Sequence, residues 1–197
     1  MKFFKLLKIL NLITIILIAI SASYILVMPL MPEILFALNK NQYEGYTFSS
    51  DKTAEVLGDK ANQLPEISND NILVIPKIYV NASINEGIDD STLNLGMWRR
   101  PSTSTPDIGD NTVIAAHRFL HTIGSNTFYR LDKMAVDDVV LVYWEGKEYV
   151  YKIYEIATVA PEQTDIEYNT EDSILTLYTY EPLWTSDKRL VVKAKLQ

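Results

Sequence analysis

At 197 residues with 48% apolar side chains, the chain is long enough for one ordinary domain plus a short appendage and too hydrophobic for a disordered polymer. Its net charge of −7 speaks against nucleic acid and anionic lipid as partners, since both need a basic surface. There is no cysteine, which excludes disulfide stapling and every cysteine-based mechanism for the chain as written.

The first element is an uncharged run from Ile9 to Met31, ILNLITIILIAISASYILVMPLM, longer than the roughly 20 residues a helix needs to cross about 30 Å of hydrocarbon. Lys2, Lys5 and Lys8 precede it and Glu33 follows, so the lysine bias keeps the amino terminus in the cytoplasm and sends the remainder outside. Setting those three lysines aside takes the net charge from −7 to −10 for the exported part, an acidic surface that suits an amine-bearing partner and also plain solubility. A cleaved signal peptide is the alternative, with Ser21-Ala22-Ser23 as its small residues. The apolar run continues past them and favours an uncleaved single-pass anchor. The expected boundaries are residues 1–32 for cytoplasmic tip and anchor, 33–70 for a stalk and 71–197 for the folded domain. Within the stalk, Ala54, Leu57, Ala61 and Leu64 recur at helical spacing, so Thr53–Gln63 reads as a short helix or as a solvated linker.

From Asn71 onward short β-rich runs alternate with turn residues. Strands are expected at Ile72–Ile75, Ile78–Val80, Ser83–Glu86, Thr112–His117, Asp138–Trp144, Tyr149–Val159, Ile174–Tyr180 and Arg189–Ala194. Pro76 interrupts the first strand, Glu145-Gly146 makes a hairpin turn and Pro161 ends the long strand before it. One helix is expected inside the domain, Ser125 to Met134, with Ser125 or Asn126 as N-cap and Phe128, Leu131 and Met134 on one face. Eight short strands with little helix predict a mainly β fold, closed or nearly closed into a barrel.

Three residues stand where chemistry is possible. His117 ends the apolar run VIAAHR, which delivers an imidazole suited to acid–base work to the edge of the sheet. In ILTLYTYEPLW, strand alternation puts Thr176, Tyr178 and Tyr180 on one face and Leu175, Leu177 and Thr179 on the other, with Pro182 stopping the strand just past Tyr180. Arg189 opens the last strand, and a guanidinium there can hold a carbonyl or a developing oxyanion. The acidic segment Pro161–Asp172 reads as a solvated loop. Its carboxylates Asp165, Glu167, Glu171 and Asp172 lack the ordered spacing of a calcium site, so no metal or cofactor is expected.

The order of these pieces resembles the sortase family, whose members carry a histidine in a GHR-like strand end, a TLxTC strand ending in the nucleophile before a proline, and an arginine on the final strand. The matching text here is AAHR at Ala115–Arg118, TLYTYEP at Thr176–Pro182 and KRLVVKA at Lys188–Ala194, with LVIPKIYV at Leu73–Val80 and Phe128-Tyr129-Arg130-Leu131 in further agreement. The resemblance covers about residues 71 to 197 and implies an eight-stranded barrel. It also implies a transpeptidase at the cell surface that cleaves an LPxTG-type sorting signal through an acyl-enzyme and passes it to an amine of a cell-wall precursor or a pilin lysine. Carried across, His117 is the general acid/base, Arg189 the stabiliser of substrate or oxyanion, and Tyr180 stands at the place of the cysteine. Ala116 replaces the usual glycine, a mild departure. Tyr180 is a severe one, because a phenol of ordinary pKa near 10 is protonated at neutral pH and bulkier than a thiol. The readings are therefore a sortase-fold protein without cysteine-dependent transpeptidation, a peptide-binding or scaffolding module, and an enzyme that uses Tyr180 itself as nucleophile.

Overall fold

The computed structural model describes residues 2–28, 31, 34, 71–118, 126–182 and 187–197. The chain divides into two compact units, Met1–Gln42 and Tyr43–Gln197. In the first, helix α1 spans Lys2–Val27, and Phe3–Val27 is long and apolar enough to cross a membrane. Its apolar side chains are exposed around the helix, with Ile13, Ile16, Leu17 and Ile20 among them, a pattern that suits lipid and not water. The expected stalk helix at Thr53–Gln63 lies outside the described residues.

The second unit is a closed eight-stranded barrel. Its strands are β1 (Ile72–Ile75), β2 (Val80–Glu86), β3 (Met97–Arg99), β4 (Asn111–Ala115), β5 (Val139–Trp144), β6 (Lys147–Val159), β7 (Ile174–Glu181) and β8 (Lys188–Leu196). They neighbour one another in the order β1-β2-β3-β4-β7-β8-β6-β5. The β2–β3 and β4–β7 pairs are parallel and the rest antiparallel. Alternation along the strands fills the interior. Leu73 and Ile75 of β1, Val140, Val142 and Trp144 of β5, and Leu175 and Leu177 of β7 all join one buried core. Their neighbours Val74, Leu141 and Tyr143 form a second cluster on the opposite face.

Most strand expectations hold within two residues, and the turn residues act as expected. Pro76 opens a 3-10 turn, Pro76–Ile78, that Tyr79 closes in the left-handed region at φ 59°. Glu145 and Gly146, with φ of 48° and 75°, make the two-residue hairpin between β5 and β6. Two details differ. The expected strands Ile78–Val80 and Ser83–Glu86 are one strand, β2, because the turn occupies Ile78. Met97–Arg99, too short to show alternation, is β3.

The expected helix Ser125–Met134 is also corrected. Residues 126–130 are turn-like and only Leu131–Lys133 winds, as a single 3-10 turn. Phe128 donates its backbone N–H to His117 across the fold, at 2.9 Å, instead of into a helix ladder. Phe128, Leu131 and Met134 are buried as expected, but Thr127 and Arg130 between them are buried as well. Only Asp132 and Lys133 are exposed, so burial does not follow the one-sided stripe of an amphipathic helix.

Candidate functional site

β7 is the axis of the site, with β4 parallel on one side and β8 antiparallel on the other. Leu175, Leu177 and Thr179 are buried, whereas Tyr180 is 41% exposed. The Thr179 hydroxyl donates to the Ala116 carbonyl at 2.8 Å, so it is committed to backbone and unavailable as a substitute nucleophile.

Tyr180 pairs with Arg189 across the β7–β8 ladder, which sets their side chains next to each other on the outer face. On the other side Ala115 pairs with Tyr178, and the Ala116 N–H reaches the Tyr178 carbonyl at 3.4 Å. Two residues further along both chains stand His117 and Tyr180. Arg118 ties these ends together: its Nη1 donates to the Tyr180 carbonyl at 3.4 Å and pairs with the Glu181 carboxylate, and its Nη2 meets Asp132 at 3.2 Å.

A cleft of about 200 Å³ opens over this junction, lined by Trp98, Arg100, Ala116, Tyr178, Tyr180 and Arg189, with Asp90 and Leu93 contributed by the 3-10 turn Asp90–Leu95. Tyr180 and Arg189 thus face one cleft. His117 is not part of its lining, although Ala116 beside it is.

Behind the cleft runs a continuous polar chain. The Arg189 guanidinium lies over the Tyr178 ring at 5.4 Å, and the Tyr178 hydroxyl donates to Glu167 Oε1 at 2.8 Å. The same oxygen accepts from Arg100 Nε at 2.9 Å, and Arg100 stacks on Trp98 at 4.3 Å. Burial, reinforced by the Glu167 charge, pushes the Tyr178 phenol far above its usual range, so it stays a proton donor at any working pH. Burial also lowers the His117 pKa from 6.5, which leaves a neutral imidazole at pH 7 that can accept a proton.

Glu167 is held in place by its flanks. The side-chain amide of Asn111 donates to the carbonyls of Ile166 and Tyr168 at 3.0 and 2.9 Å, and Asp110 accepts from the Thr170 N–H. Most of the acidic segment is exposed, as expected of a solvated loop, but it is docked at its middle through the buried Ile166 and the half-buried Glu167.

The family model described as the sortase domain matches residues 73–197. The chain belongs to the sortase family. It is 29% identical over 168 residues to Sortase A of Streptococcus agalactiae, covering 81% of this chain and 66% of that protein. To Sortase D of Bacillus subtilis it is 26% identical over 170 residues, covering 84% and 81%. Among solved structures, a Clostridium perfringens sortase transpeptidase is similar with a TM-score of 0.58 at 26% identity, covering 80% of this chain and 92% of that one. In this sortase-family chain, Trp98, Arg100, Asn111 and Glu167 went unrecognised as parts of the site. The arginine pair in MWRR was the available signal, but β3 has only three residues and a single outward position says little about a cleft.

Proposed function

We propose that this sortase-family chain is anchored by its N-terminal helix, holds its barrel outside the cell and binds an extended sorting-signal-like peptide in the β4–β7–β8 cleft without cysteine transpeptidation. Residues 1–32 serve as tip and anchor, 33–70 as stalk and 71–197 as the barrel. His117 is assigned the acid/base position and Arg189 the carbonyl-holding position, with Tyr180 standing in the nucleophile's place. In family members that transfer peptides the acceptor is an amine of a wall precursor or pilin lysine; here the encounter stops at binding.

The observation that carries this reading is the pairing of an exposed Tyr180 with Arg189 in one cleft, in a chain that contains no cysteine. A phenol is a bulkier and weaker nucleophile than a thiolate, whereas it donates hydrogen bonds and stacks readily.

Tyr180→Cys tests the assignment. The new thiol is expected to react with alkylating reagents and to form an acyl adduct with an LPxTG-type peptide, while the unaltered chain does neither. In that background His117→Ala or Arg189→Ala is expected to lower adduct formation by about 10² to 10³. Turnover by the unaltered chain that Tyr180→Phe abolishes would make the phenol the nucleophile and overturn the reading.

A further inference from the structure

We infer that the cleft selects a peptide that ends in a free C-terminal carboxylate, gripped between the guanidinium of Arg189 and the phenol of Tyr180. This rests on the peptide-binding reading above and specifies the end group that the site prefers.

The two arginines of the cleft differ in one respect. Arg100 is already neutralised, with Nε on Glu167 at 2.9 Å and its plane over Trp98. The Arg189 guanidinium lies 5.4 Å over the Tyr178 ring, and among the described residues no carboxylate pairs with it. Ring stacking occupies the plane of a guanidinium and leaves its N–H edge free to donate. Asp90 also lines the cleft, from the turn before β3, yet makes no ion pair with either arginine.

Tyr180 supplies the second donor. It is opposite Arg189 in the β7–β8 ladder, 41% exposed, and its hydroxyl has no hydrogen-bond partner among the described residues. Two unsatisfied donors, one of them charged, therefore face the same space. A peptide amide offers them a single neutral oxygen. A carboxylate offers two oxygens and cancels the cation, and guanidinium–carboxylate contacts are about twice as strong as neutral ones. His117, held neutral by burial, adds no competing positive charge nearby.

The experiment measures the affinity of the full chain, in detergent micelles, for three probes: Leu-Pro-Ala-Thr with a free carboxylate, the same peptide as its C-terminal amide, and the uncut Leu-Pro-Ala-Thr-Gly amide. The free acid is expected to bind about 10- to 100-fold more tightly than either amide, the range for a charge-assisted hydrogen bond. Arg189→Gln should reduce that preference to about threefold or less, and Tyr180→Phe should reduce it by about fivefold, the loss falling more heavily on the free acid than on either amide. Equal affinity for acid and amides overturns the carboxylate inference and leaves peptide binding standing. A preference that survives Arg189→Gln overturns it too, since the carboxylate is then held elsewhere. Binding of none of the three overturns both this inference and the peptide-binding reading on which it rests.

Discussion

Asn111→Ala is the most informative single perturbation of the wall that carries Glu167. Asn111 is 4% exposed and its side chain makes three hydrogen bonds: its amide donates to the Ile166 and Tyr168 carbonyls at 3.0 and 2.9 Å, and its Oδ1 accepts from the fully buried Thr176 hydroxyl at 2.8 Å. The substitution strands two carbonyls and a hydroxyl at once. At about 1 kcal/mol for each buried partner left unmade, the expected loss is about 3 kcal/mol, or about 10 °C in Tm for a domain of this size. Thr176→Val removes only the third bond and should cost about 1 kcal/mol. Because that bond is already lost in Asn111→Ala, the double variant should be about as stable as Asn111→Ala alone, a coupling of about 1 kcal/mol. Denaturant unfolding of the four proteins, followed by tryptophan fluorescence, gives all the terms. A loss below about 1 kcal/mol for Asn111→Ala, or a Thr176→Val loss equal to it, would refute the claim that this side chain pins the segment.

Two further outcomes follow from the same structure. The lowered His117 pKa means that the unfolded chain binds the proton more readily, so stability is fully present above the unfolded value of 6.5 and is lost as pH falls from there toward the lower folded value; His117→Asn should flatten that part of the stability–pH curve, and an unchanged slope would assign it to other groups. For topology, a reporter fused after Gln197 should be accessible to protease in intact cells, because three lysines precede the apolar helix; a protected reporter would reverse the orientation and remove the cell-surface role.

The strands that were legible in the sequence are those that alternate over four or more residues or are bracketed by strong turn chemistry. Val139–Trp144 and Lys147–Val159 are long, and the Glu145-Gly146 turn between them permits few other geometries. Met97–Arg99 was illegible because three residues contain no period, and its place in the barrel depends on a parallel pairing with β2 that only the closed sheet creates. The Ser125–Met134 expectation failed for a related reason. Apolar residues at helical spacing are compatible with any segment buried on several sides, and here the contact from Phe128 to His117 replaced local winding. Of the cleft lining, the outward residues of β7 and Arg189 at the start of β8 were legible. Alternation assigned Tyr178 and Tyr180 to one face, but the link from Tyr178 through Glu167 to Arg100 joins residues distant in sequence and arises from how the segment before β7 docks.

That same alternation explains how a barrel can keep its fold while the residue at position 180 changes. Leu175 and Leu177 bind β7 into the core, and the Thr179 hydroxyl ties it to the Ala116 carbonyl beyond β4. The Tyr180 backbone is fixed independently, by the ladder with Arg189 and by Arg118, both of which contact main chain whatever side chain is present. A partly exposed outward position at the end of a strand carries little of the folding free energy, so changing the side chain there alters chemistry far more than stability. The barrel therefore fixes the backbone at position 180, and the side chain carried there beside Arg189 sets the chemistry available in the cleft.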